Sequence, residues 1–150
     1  MSVTVSGFYN VTWMDILDTT QLAIDLDLET HRGALFSDTV TPNFDTDSAY
    51  GVAPYNANEV TGTNWAAGGV LLTGTTLAIS AGKIILDATD VSVASTTFTG
   101  AKLYQLYADA LAGNNAILGI NLGASYNTSN GLFQITWAVG GYADLDLTPP

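Results

Sequence analysis

From Glu59 onward the chain breaks into short apolar or alternating runs separated by small, turn-forming residues: Val60 to Thr63, Gly69 to Thr73, Thr75 to Ser80, Lys83 to Leu86, Val91 to Ala94, Lys102 to Tyr107, Ala116 to Leu122 and Leu132 to Ala138. Runs of this length, bounded by Gly, Asn and Ser, read as β-strands. Ser80-Ala81-Gly82 and Asn130-Gly131 supply the small residues that turns with positive φ demand. Regular spacing of this kind predicts a mostly β fold, an antiparallel β-sandwich or jelly-roll-like barrel. Composition agrees, because 47% of the residues are hydrophobic and only 11% charged, leaving few of the Lys, Glu and Arg that line exposed helix faces.

The first third has a different texture. Trp13, Ile16, Leu17 and then Leu22 and Ala23 recur at helical spacing, so one short N-terminal helix is predicted over Trp13 to about Ala23, with Thr12 as its N-cap and Asp15 near its positive end. Leu22, Ile24, Leu26 and Leu28 then alternate with more polar neighbours, the two-residue period of a half-buried strand. Gly33 to Phe36 is a further strand candidate. Ser37 to Asn58, with Pro42, Gly51, Pro54 and several Asp and Asn, reads as a long loop, the kind of segment that makes functional contacts. The 150 residues fit a single β-rich domain, with 1–12 an extended arm and 148–150 a frayed tail.

Fourteen acids against three bases give a formal charge of -11, and Arg32, Lys83 and Lys102 are too scattered to neutralise a run of phosphates. Nucleic acid is not an expected partner. No run reaches the ~20 apolar residues of a membrane span, and Met1 to Gly7 has no secretory pattern, so a soluble product made in a cytoplasm is expected. There is no cysteine to form a disulfide.

Chemistry-bearing motifs are sparse. His31 is the single histidine, and beside Arg32 at a strand edge it reads as ordinary surface. Gly123-Ala-Ser125-Tyr-Asn127 has Asn where a nucleophile elbow requires its second Gly, and Gly82-Lys83 lacks the rest of a phosphate loop. A carboxylate-dependent hydrolase would draw on Glu29 and Glu59, which no aromatic-acid cluster accompanies. Neither an enzyme nor a cofactor is expected.

Nine of the fourteen acids lie between Asp15 and Glu59. Asp25, Asp27 and Glu29 would share one face of a strand, and Asp45 and Asp47 add two acids in the long loop; these are the candidate ligands for a hard cation, with a solvated acidic face as the plainer reading. Trp13, Phe44, Tyr50, Tyr55 and Trp65 are the candidate partner-contact residues. The tryptophans and the Tyr104/Tyr107 pair otherwise read as core packing or subunit contact.

Ala34-Leu-Phe-Ser-Asp38, Thr41-Pro42-Asn43, Asp45-Thr-Asp47, Asn58-Glu-Val-Thr-Gly-Thr63, Ala67-Gly-Gly69, Leu86-Asp87 to Asp90-Val91 and the closing Asn130-Gly-Leu-Phe-Gln-Ile-Thr-Trp137 carry a resemblance. By these motifs the chain, from about Ala23 to Ala138, resembles a group of small virion proteins of tailed bacteriophages; the portion before Ala23 departs from them. The motifs are turns and strand alternations, so the resemblance implies a structural role and no catalytic residue. It implies a head or tail-associated virion protein, and the role expected here is a capsid decoration or head-fibre component on the outside of the virion, binding the major capsid protein and itself. A few-charge, apolar-rich chain of this kind also suits a symmetric homo-oligomer, expected here to be a trimer. The alternative is a tail-tip or tail-fibre module that recognises a host glycan through exposed Trp65, Tyr104 and Tyr107.

Overall fold

The computed structural model describes residues 2–27 and 30–147. The chain is mostly β, with two antiparallel sheets and one short helix: β1 (Gly7–Phe8), α1 (Asn10–Leu17), β2 (His31–Ser37), β3 (Val70–Leu72), β4 (Thr76–Ser80), β5 (Lys83–Asp87), β6 (Val91–Tyr107), β7 (Ala116–Ile135) and β8 (Ala143–Asp146). A five-stranded sheet runs β1-β7-β6-β2-β3 and a three-stranded sheet runs β4-β5-β8. Of the two β architectures expected, the sandwich is the one this arrangement fits.

Both faces of the large sheet are covered. On one, Leu35, Tyr104, Leu106 and Leu118 pack with Trp65, Phe98 and Phe133, whose rings meet edge to face at 5.2–6.1 Å. On the other, Ala34, Phe36, Leu103 and Tyr107 pack with Val3, Tyr9, Val40 and Tyr55. A strand buried on both sides loses the alternation of a half-exposed one, which is why His31 to Phe36 is almost continuously buried. Gly33 is required there. A Cβ on it would lie 1.9 Å from the Tyr104 ring.

The predicted strands at Val91 to Ala94 and Lys102 to Tyr107 are one strand, β6, and those at Ala116 to Leu122 and Leu132 to Ala138 merge into β7, which stops at Ile135. The intervening small residues make bulges rather than turns. Ser95, Gly100, Gly123 and Asn130 have positive φ, and the β6–β7 register shifts repeatedly between Val93 and Leu103. Side chains replace the missing ladder bonds: Gly100 N donates to Asn127 Oδ1 (2.7 Å), Phe98 N to Thr128 Oγ1 (3.2 Å) and Asn130 N to Thr97 Oγ1 (2.9 Å). Asn130-Gly131 thus has the positive φ expected of it without reversing the chain. Ala81-Gly82 does reverse it, as the two-residue β4–β5 turn with both φ values positive, 50° and 78°. Val60 to Thr63 forms only isolated bridges.

The N-terminal expectations need correcting. The helix begins at Asn10 and ends at Leu17, short of Ala23, and its N-cap is Tyr9, which makes no side-chain capping bond. Thr12 lies inside the helix and is buried, and Asp15 is past the first turn. Residues 21–27 form no strand, being held by local bonds such as Leu22 N to Asp15 O at 2.8 Å, and Leu28 lies outside the described residues. The 148–150 tail also lies outside them. The extended arm is docked: Val3 is 1% exposed and its N–H donates to Asp38 Oδ1 at 2.9 Å.

Candidate functional site

Apart from Ser37, the last residue of β2, the predicted loop Ser37 to Asn58 contains no helix or strand element, but it is the roof of the second core. Phe44 lies over Gly7 and Gly119, where a Cβ on either glycine would come within 3.0 Å of its ring, and meets the Tyr9 ring at a tilt, centroids 5.1 Å apart. Tyr55 meets Tyr9 and Phe36 edge to face, and Tyr50 lies flat on Tyr107 at 4.4 Å.

Two hydrogen-bonded relays run beneath this roof. In the first, Gln105 Nε2 donates to Tyr9 Oη (3.1 Å), Tyr9 Oη to Tyr55 Oη (2.8 Å) and Tyr55 Oη to Asp47 Oδ2 (2.9 Å); the Asn43 N–H also reaches Asp47 Oδ2. In the second, Glu59 accepts from Tyr50 Oη (2.9 Å) on one oxygen and from Gly68 N (2.7 Å) on the other, while Tyr107 Oη donates to Gly68 O (2.9 Å). Burial raises all four phenols, Tyr50 to about 12 with Glu59 adding to the effect. They therefore stay protonated at neutral pH and act as fixed donors, not as bases or nucleophiles.

The acids of the first third serve the same end. Asp38 accepts from Val3 N and Ser2 Oγ, which holds its carboxyl below the usual carboxylate range. Asp45 accepts from Asn10 Nδ2, and Asp47 and Glu59 anchor the relays. Asp25 and Asp27 stand side by side, a hydrogen bond from Asp25 raising the Asp27 carboxyl, and Glu29 lies outside the described residues. Among the described residues no three His, Cys, Asp or Glu side chains are close enough to share a metal ion. The four described candidates fall in two separate places, Asp25 and Asp27 within residues 21–27, which do not form the expected strand, and Asp45 and Asp47 in the loop.

The expected contact aromatics face inward to different degrees. Trp65 is 0% exposed and Tyr55 is buried beside it in character if not in place, so neither side chain offers a surface; Trp13, Phe44 and Tyr50 are half-buried. Tyr104 and Tyr107 are buried as well, which removes the platform that the glycan-binding alternative needs. His31 is not surface: it is buried in β2, where Nε2 donates to Asp25 O at 3.0 Å and ties down residues 23–27. Sequence reasoning missed Tyr9, Asp38 and Gln105, which no periodicity marks.

What faces solvent is uncharged to an unusual degree. Arg32 pairs with Asp109 (3.2 Å), Lys83 with Asp144 (3.1 Å) and Asp146 (3.4 Å), and Lys102 Nζ donates to Gly123 O (2.8 Å), so every base is engaged within the chain. Large apolar side chains are left outside, among them Leu17, Ile79, Leu132 and Val139. No helix among the described residues is long and apolar enough to cross a membrane. No protein-family model, curated protein or solved structure matches this chain.

Proposed function

We propose that the protein is a structural component of a tailed-phage virion, a decoration or head-fibre protein on the capsid exterior that binds the major capsid protein and further copies of itself. The observation that carries this reading is the exposure of large aliphatic side chains, with Leu17, Ile79 and Leu132 on regular structure and Val139 in a turn each more than half exposed, while Tyr9, Tyr50 and Tyr55 are bonded to one another or to Asp47 and Glu59. A surface of that kind favours mating with a covering neighbour over holding a substrate. Its segments differ in chemistry: acid-bearing loops suited to a basic patch on a shell protein, and the uncharged strands β4 and β7 suited to packing.

Imaging of the assembled particle by electron cryomicroscopy tests the assignment. Density for this chain on the icosahedral shell is the expected result, and its absence from every particle component would overturn the reading. Deleting Met1 to Thr12 is not a clean test of attachment, because Val3, Tyr9 and Thr12 are core residues. Exchange of the exposed Met14 and Leu17 for Ser tests the same face without opening the interior.

A further inference from the structure

We infer that β4 is a self-recognition edge, through which two copies of this chain pair antiparallel about a two-fold axis at Ala78. Unpaired strand edges attract other chains, and proteins blunt them by brevity, bulges or charge. Every other free edge here is blunted. β1 and β3 have two and three residues, β7 is interrupted by bulges, and β8 carries Asp144 and Asp146. β4, Thr76-Leu-Ala-Ile-Ser80, has no such device: all five residues are exposed, none is charged, and it runs in unbroken register with β5.

The occupant that fits is a second copy, because the strand is complementary to itself. Pairing about Ala78 sets Leu77 opposite Ile79, Thr76 opposite Ser80 and Ala78 opposite Ala78, so each contact occurs twice, as an isologous interface requires. Leu77 lies in a shallow cleft of about 450 Å³ with Ala23, Ile24, Asp25 and Leu26. The Ile79 of the second copy, at 87% exposure an apolar knob with no cover in its own chain, would enter that cleft. In the cross-strand rows Lys83 lies beside Ser80 and Asp87 beside Thr76, so each row through the join would carry Lys83 of one copy and Asp87 of the other, three strand spacings apart, while Asp25 of each cleft would face an uncharged Ile79. The two three-stranded sheets would become one of six strands, with Leu77, Ile79, Ile84, Leu86, Ala143 and Leu145 on a common apolar face. Such an edge closes as a pair; a trimer would need another, heterologous contact.

The inference rests on the free edge and not on the assignment to a particle. Sedimentation or light scattering should give a concentration-dependent mass approaching twice the 15.7 kDa of one chain. Ile79→Lys, at an exposed position, should weaken the pair ~10-fold or more. Ala78→Cys adds the chain's single cysteine and reads the register. Opposed residues lie about 4.5–5.5 Å apart between Cα atoms, within disulfide reach. Mild oxidation should therefore link Ala78→Cys chains but not Ser80→Cys chains, whose thiols would lie about 13 Å apart. A wild-type chain that stays at 15.7 kDa at ~1 mM, or equal cross-linking at both positions, overturns the proposal. A pair that forms in a protein absent from the particle would leave it standing while removing the virion reading.

Discussion

Tyr55 joins the loop roof to the sheet through two bonds, one accepted from Tyr9 and one donated to Asp47. Loss of its hydroxyl leaves the buried Tyr9 Oη without an acceptor, whereas Asp47 keeps the Asn43 N–H. Tyr55→Phe should therefore cost about 1–3 kcal/mol in urea unfolding. Tyr9→Phe should cost a similar amount, and the double variant less than the two together, since both break one chain of bonds. Nothing in residues 38–59 reveals these partners in advance. Asp47 and Asp45 read as cation ligands from sequence because an acid beside an acid in a loop looks the same whether its acceptor oxygens serve a metal or the chain's own N–H and O–H groups. Only the fold brings Asn10, Asn43 and Tyr55 to them.

At the level of elements, the strands were legible wherever apolar residues alternate and the chain reverses in two residues. The β4–β5 hairpin is the clearest case, and its turn is also improvable. Ala81 holds φ 50° without the freedom of glycine or the tolerance of asparagine. Ala81→Asn, giving the Asn-Gly pair that such turns favour, should raise stability by about 0.5–1 kcal/mol, seen as a higher denaturation midpoint with an unchanged urea slope. Elsewhere the same small residues misled. A positive φ at Asn130 or Gly123 signals a local kink, and whether the kink ends a strand or bulges it depends on the partner strand, which lies some 30 residues away along the chain. His31 was misplaced for a related reason: a strand covered on both faces has no polar side to betray which residues are inside.

Across the whole molecule, the many buried phenols set a prediction for high pH. Tyr9, Tyr50, Tyr55, Tyr104, Tyr107 and Tyr142 are all raised by burial, Tyr50 and Tyr142 from 10.0 to about 12. A raised folded value means the native state holds its proton more tightly than the unfolded chain. The contribution is intact below the ordinary 10.0 and is lost as pH climbs toward about 12 and beyond. Unfolding should therefore be steep above pH 10.0, and tyrosinate absorbance should rise together with loss of the β circular dichroism signal. Separate transitions, with these six phenols ionising in a folded protein, would contradict the burial described here.

Neither β4 nor β7 contains a single charged residue, although the chain carries a formal charge of -11. Long-range repulsion and short-range adhesion are thereby assigned to different parts of the molecule. Added salt should relax the first and leave the second nearly untouched, so contacts made along those strands would tighten, not dissolve, on passing from dilute to saline surroundings.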